Sequence, residues 1–444
     1  MIEHTNFKRS PVHVVYGGAD RFSAETPEKF GRIAIATTQT YARDFVEFAR
    51  VFGLKGSEGL PHWPGAVAEI GVAAESAPQH LRNENFPAWF AWSVYRKTIE
   101  KLAEEPIEDF RIDFEDGYGF RTDEEEDGHA VAASTELAGA FNEGKITAFS
   151  GFRIKSFAPE TQERGIRTLE RFLGNFLDHT NGHIPQNFIV TLPKVTDRDQ
   201  VTELCDRLAA IENDRELSKG SIGVELMIET PNAIIGTDGR MAVRDLVNAA
   251  GGRCDSVHFG AYDYTGALGI SASYQDIRHP ACNFARQVMQ ASLAGTGVRL
   301  VDSVTTVMPV PIHKGDPISE HHRSENIEAV HSAWLRHFRN VTASMADGFY
   351  QSWDLHPNQL VARYAAVYAF FLNEFDSQAA RLRSYMEKAT KATLTGNTFD
   401  DAASVAGLIN FFERGIACRA FSEDEVAEAT GFGIEDMSRN LGRA

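Results

Sequence analysis

Residues 221–263 read SIGVELMIETPNAIIGTDGRMAVRDLVNAAGGRCDSVHFGAYD, and this stretch decides the fold class. Two short apolar runs, 223–228 and 256–260, are bounded by glycine or turn residues, as buried strands are. Residues 233–250 between them carry apolar positions at helical spacing, so the unit is strand–helix–strand. A carboxylate follows each run, Glu229 after the first and Asp263 after the second. In a parallel sheet both strand ends face the same way. Glu229 and Asp263 therefore meet at one rim, the rim on which barrel enzymes carry their chemistry. Two convergent carboxylates with open positions suit a hard divalent cation such as Mg²⁺, which keeps several waters and takes one or two protein carboxylates. The plainer reading has Glu229 capping a helix N-terminus and Asp263 capping a turn.

Upstream, residues 11–16 (PVHVVY) form a β-branched run that turns at Gly17-Gly18-Ala19-Asp20-Arg21. Two glycines permit a sharp turn, and Arg21 either holds an anionic group or forms a solvated pair with Asp20. Residues 41–52 and 89–105 have the pattern of amphipathic helices. The Gly- and Pro-rich segment between them, 54–71, reads as a surface excursion. Phe110-Arg111-Ile112-Asp113-Phe114 alternates like a strand and ends in Glu115-Asp116-Gly117. A strand aspartate is costly unless paired, so Asp113, Glu115 and Asp116 imply a polar, satisfied centre, and the Glu115-Asp116 pair is assigned a functional role. Strand 148–154 carries Arg153 near its end, which clamps a carboxylate or oxyanion, partners Asp113 or Asp116, or does both. Strand 187–193 delivers Lys194.

Downstream, 298–307 is a seventh strand and 348–355 the last. Residues 308–326 exceed a minimal connection and suggest a lid. His313, His321 and His322 within it resemble a metal cluster, but their spacing matches no specific site, and solvated loop histidines are the preferred reading. Helical patterning covers 359–373, 377–392, 402–420 and 423–428, with 394–404 as a linker. Eight strands alternating with helices predict a (β/α)8 TIM barrel over 1–358, with insertions near 40–90 and 305–325 and a C-terminal helical extension or lid over 359–444. No GxGxxG, P-loop, GxSxG or HExxH occurs in the chain.

Of the 444 residues 43% are hydrophobic, enough for a sizeable core, and the net charge is −18. That charge argues against nucleic-acid and anionic-membrane partners. Four scattered cysteines lack CxxC spacing, which argues against a disulfide framework or a zinc site of cysteines. With no signal-like start and no apolar stretch of spanning length, the expectation is a cytoplasmic protein.

Eight pieces taken together resemble the superfamily of the citrate lyase beta subunit, malyl-CoA lyase and related 2-keto-acid aldolases. They are GGADR (17–21), DFEDG (113–117), FRIK (152–155), LPKV (192–195), ELMIETPNAI (225–234), VHFGAYDYTGALGI (257–270), VRLVDSV (298–304) and DLHPNQL (354–360), in family order. The resemblance implies a Mg²⁺-dependent barrel, with Mn²⁺ as a substitute ion, that cleaves or forms a carbon–carbon bond through an enolate. It places the metal on Glu229 and Asp263, the substrate-orienting arginine on Arg153, and the acidic pair on Glu115 and Asp116. Arg21, Lys194, Gly260 and Ala261 fall on the substrate side. The chain departs from the family at Ala19, in a loop that usually reads Pro-Gly-Asp-Arg, and at Tyr262, where glutamate is common. The implied partner is a small keto acid or an acyl-CoA, and the implied assembly a homo-oligomer. Two alternatives stand beside this one: a CoA-independent aldolase of the pyruvate or phosphoenolpyruvate type, and a non-catalytic barrel that binds metal or keto acid.

Overall fold

The structure, a computed structural model, describes residues 9–315, 317–387, 393–395, 398–400 and 402–433. Eight parallel strands close into a barrel in sequence order: β1 (His13–Gly18), β2 (Asp109–Asp113), β3 (Phe149–Arg153), β4 (Phe188–Leu192), β5 (Gly223–Ile228), β6 (Cys254–Phe259), β7 (Arg299–Val304) and β8 (Gln351–Asp354). Val15 pairs with Phe110 on one side and Asp354 on the other, which seals the ring. This is the TIM barrel expected from the alternation of strands and helices.

Period-two alternation sorts the strand residues between two cores. Outward residues such as Phe152 and Phe188 stack on Phe172 and Phe176 of the helix Gln162–His179. Inside the ring a small apolar cluster of Val14, Tyr16 and Val301 packs with Trp353. Much of the remaining interior is polar, and Arg111 and His258 each keep a ring or guanidinium nitrogen without a hydrogen bond. Glu225 accepts hydrogen bonds from Tyr16 Oη (2.6 Å), Ser256 Oγ (2.7 Å) and Thr191 Oγ1 (2.9 Å), the satisfaction a buried carboxylate requires. Outside the ring, Asp354 binds His13 (2.8 Å), His337 (2.8 Å) and Arg363 (2.8 Å), fastening β8 to β1 and to two helices.

Several expectations change. Residues 54–71 are not only loop: Pro64–Ser76 is a helix, followed by Pro78–Glu84 and Phe86–Glu104. Each of these begins with proline in its first turn, where the missing N–H has no partner to lose, so prolines that read as breakers are starts. The helix expected over 233–250 is instead Pro231–Ile234 and Val243–Ala249, separated by a turn in which Gly239 takes φ +78°. Gly236 and Gly239 remove helix propensity there.

Gln359–Glu387 follows β8 and packs against Phe86–Glu104 and Glu320–Ala346, while Ala402–Ala417 and Glu423–Thr430 lie on it. Arg414 donates to Ser10 Oγ at 3.0 Å and sits 4.8 Å from the Tyr350 ring. Its helix therefore lies near the N-terminal ends of the strands. The linker expected over 394–404 overlaps a pair of strands, Thr393–Thr395 and Thr398–Asp400. The stretch 388–392 of the expected helix 377–392, and everything beyond 433, lies outside the described residues. No helix among the described residues is long and apolar enough to cross a membrane, and all four cysteines are buried and free.

Candidate active site

The C-terminal rim gathers Glu115 and Asp116 after β2, Arg153 at the end of β3, Lys194 after β4, Glu229 after β5, and Asp263 after β6. Asp113, the last residue of β2, accepts from Arg153 through both oxygens, Nε to Oδ1 at 2.7 Å and Nη2 to Oδ2 at 2.6 Å. This bidentate pair is fully buried. The remaining nitrogen, Nη1, stands 3.4 Å from Met227 Sδ and 3.3 Å from Glu115 Oε2. The guanidinium lies 4.8 Å from the Tyr16 ring and 5.5 Å from that of Trp353, so aromatic rings fix it as well. Of the roles open to Arg153 in the sequence, the structure holds the pairing with Asp113, made by two of its nitrogens, while the third lies beside Met227 and Glu115.

Lys194 spans the acidic groups. Its ammonium donates to Glu115 and, at 3.0 Å, to Asp116, while its backbone N–H donates to Glu229 Oε1 at 2.6 Å. Burial pushes the Glu115 carboxyl above its ordinary value. Asp116 is also raised by burial, but the hydrogen bonds and charge of Lys194 together with the charge of Arg153 outweigh this and hold it below the usual aspartate value. Lys194 itself is held protonated by the pair.

Glu229 is 3% exposed. Burial first, then the negative charge of Asp263, pushes its carboxyl up to about 8. A buried carboxyl beside a second carboxylate demands a proton or a cation. With Oε1 engaged by Lys194, Oε2 and the exposed Asp263 offer hard oxygen donors, which fit Mg²⁺. Gly260 makes room for this side chain: a Cβ there would lie 2.4 Å from Glu229 Cβ and 2.5 Å from Oε2. The capping role weighed for Glu229 falls to Thr230, whose hydroxyl accepts from Ala233 N at 3.2 Å.

Other expected positions sit differently. Arg21 is exposed, with Asp20 3.7 Å away, and does not join the cluster around Lys194. The N–H of Ala261 donates to Ser303 Oγ at 3.0 Å. Asp263 lies in the first turn of Ala261–Ala267 rather than at a strand end. Tyr16, Met227 and Trp353 were not singled out from the sequence, although alternation along β1, β5 and β8 puts them on the inner face. A cavity of 420 Å³ opens at the opposite end of the barrel, beside Asn187, Gly223, Arg253 and Asp255. Barrel chemistry belongs to the C-terminal rim, so that cavity does not displace the acidic cluster as the candidate.

The fold is similar to that of a citrate lyase from Burkholderia xenovorans LB400, with 18% identity and a TM-score of 0.54 over 76% of this chain and 91% of that one. A malate synthase from Haloferax volcanii, in its lead(II) complex, is more distant: 16% identity and a TM-score of 0.41 over 76% of this chain and 83% of that one. The first likeness bears on the fold, and the second is too distant to weigh. No curated protein matches the chain. The model of the family described as Domain of unknown function (DUF6986) matches residues 4–442, and the chain belongs to that family.

Proposed function

We propose that the chain is a Mg²⁺-dependent carbon–carbon lyase of the citrate lyase beta-like type, acting on an acyl-CoA or a small hydroxy or keto acid. The observation that carries this reading is Glu229, buried, raised to about 8 beside Asp263, and tied through Lys194 to the cluster that holds Arg153. The name of the similar citrate lyase agrees with it.

Glu229 and Asp263 would hold the cation, which when bound supplies an electrophile for a developing enolate oxygen. Arg153 orients the substrate through Nη1, and because Asp113 and the two rings already fix the guanidinium, little reorganisation is needed as charge develops. In the cleavage direction a base takes the hydroxyl proton, the hydroxyl carbon becomes a carbonyl, and the electron pair of the broken carbon–carbon bond passes to the enolate. Glu115 is the better acceptor of that proton, because burial raises it while Lys194 keeps Asp116 ionised. Lys194, held protonated and shared by both, stays a fixed positive charge that holds the pair in position.

Calorimetric titration with Mg²⁺, then with CoA, acetyl-CoA, oxaloacetate, pyruvate and glyoxylate, tests the proposal. We expect one of these to bind only in the presence of Mg²⁺, and Glu229→Gln or Asp263→Asn to abolish that binding. Unchanged Mg²⁺ affinity in both variants would remove the site. Binding of acetyl-CoA selects a thioester substrate, and binding of a free keto acid without CoA selects the CoA-independent aldolase. Mg²⁺ binding with no response to any ligand selects the non-catalytic barrel.

A further inference from the structure

We propose that His313, His322 and Glu325 form a second metal site, for a borderline transition ion of the Zn²⁺ class, built from residues wholly separate from the acidic rim pair. Spacing in the sequence does not reveal it, because His313 comes from the segment after β7 while the other two lie on the helix Glu320–Ala346. The fold brings them together. One ligand atom from each of the three lies within 4.8 Å of the others. The imidazoles of His313 and His322 stack with centroids 4.1 Å apart and planes 13° apart. His313 Nε2 is shielded from solvent and only 2.8 Å from Glu325 Oε2, yet it makes no hydrogen bond of acceptable geometry. Two groups that converge this closely without satisfying each other are placed as ligands of a common ion are.

The scaffold around them is built rather than incidental. Asn326, 4% exposed, clasps the His313 backbone twice, accepting from its N–H at 2.8 Å and donating to its C=O at 3.0 Å. His322 and Glu325 stand one helical turn apart on the same face. Ser319 caps that helix by accepting from His322 N at 3.2 Å, which fixes the first turn. His321 is exposed and lies 3.6 Å from the other oxygen of Glu325, on the solvent side of the cluster.

Two imidazoles and one carboxylate suit Zn²⁺ and disfavour Mg²⁺, which takes oxygen donors. Donor atoms around a tetrahedral zinc stand about 3.4 Å apart. That spacing requires the exposed His322 ring to turn out of its stack on His313 as the ion binds. Three protein ligands leave a fourth position for water. An ion here would fasten the segment after β7 to the helix. That segment also touches the element bearing Asp263, through Thr306 Oγ1 and Tyr262 Oη 3.1 Å apart.

The test titrates the chelator-treated full chain with Zn²⁺ under excess Mg²⁺, and repeats the titration in a Glu229→Gln, Asp263→Asn background so that the rim pair is not read by mistake. We expect one Zn²⁺ per chain in both, and a loss of affinity of at least about a hundredfold when His313→Ala and His322→Ala are combined. Co²⁺ serves as the second probe: the wild-type chain should give the intense visible absorption of a tetrahedral site, and Glu325→Gln should weaken it. Unchanged zinc affinity in the double histidine variant would overturn the proposal. So would zinc binding that disappears with the rim carboxylates but survives loss of the histidines, or the pale spectrum of octahedral Co²⁺ in the wild-type chain.

Discussion

The backbone N–H of Lys194 donates to Glu229 while its ammonium lies against Glu115 and Asp116, so one residue links the groups that follow β2, β4 and β5. Its φ of +52° turns the amide toward Glu229, a left-handed conformation uncommon for a lysine. Lys194→Gly keeps that backbone without strain but loses the ammonium, whereas Lys194→Ala loses the ammonium and keeps the strain. Both variants should let the Asp116 carboxyl rise, since the hydrogen bonds that lower it are gone. In denaturant unfolding the glycine variant should be the more stable of the two by about 1 kcal/mol. Equal stability would mean that the left-handed turn carries no strain.

Glu229 makes stability and metal affinity depend on pH in opposite ways. Between its ordinary value of 4.5 and about 8, the folded metal-free chain holds a proton that the unfolded chain has released. Stability therefore falls as pH rises through that window. Glu229→Gln removes this dependence and should unfold later than the metal-free wild type at about pH 9, by on the order of a few kcal/mol. Mg²⁺ must displace the same proton, so its affinity should climb roughly tenfold per pH unit up to about 8 and then level off. Titrations across this range check it, and a flat profile would mean that another group titrates.

Gly260 tests whether room beside Glu229 matters. Its φ is −102°, so an alanine there meets no backbone penalty and acts only by contact with the Glu229 side chain. Gly260→Ala should displace that side chain, weaken Mg²⁺ by at least about tenfold, and destabilise the fold by roughly 1–3 kcal/mol. Wild-type Mg²⁺ affinity in calorimetry would show that Glu229 does not need its present position to bind the ion.

The barrel was legible because the order of short apolar runs and helical segments is a local signal. Runs such as 223–228 and 256–260 are apolar and bounded by turn residues whatever lies around them, and Asp113 announces a buried partner by its cost alone. What could not be read is distance across the fold. His313 is separated from Glu325 by a turn and a helix start, and only tertiary packing through Asn326 sets them side by side. Arg21 is likewise placed only by the fold: it stands exposed beside Asp20, at 3.7 Å, apart from the cluster around Lys194. The helix at 64–76 was hidden by prolines and glycines whose meaning depends on which side of a helix boundary they occupy.

Arg153 and Asp113 separate stability from chemistry. Arg153→Lys keeps the charge but not the planar fork, so at most one of the bonds to Asp113 survives and the contact with the Tyr16 and Trp353 rings is lost. We expect a loss of roughly 2–4 kcal/mol in urea unfolding, below the cost of removing the partner outright, because a cation still faces Asp113. Turnover on the substrate identified by titration should fall by at least about a hundredfold, since the nitrogen proposed to orient substrate is gone. Asp113→Asn is the control. It removes the charge that anchors the guanidinium and leaves Glu115, 3.3 Å from Nη1, as its carboxylate partner, and so should swing Arg153 toward Glu115. If Arg153 orients substrate, Asp113→Asn raises KM together with its loss of kcat, while Arg153→Lys loses kcat at unchanged Mg²⁺ affinity. If Arg153 only braces β2 against β3, both variants lose stability and neither changes kcat once folded, and the arginine is then a structural partner.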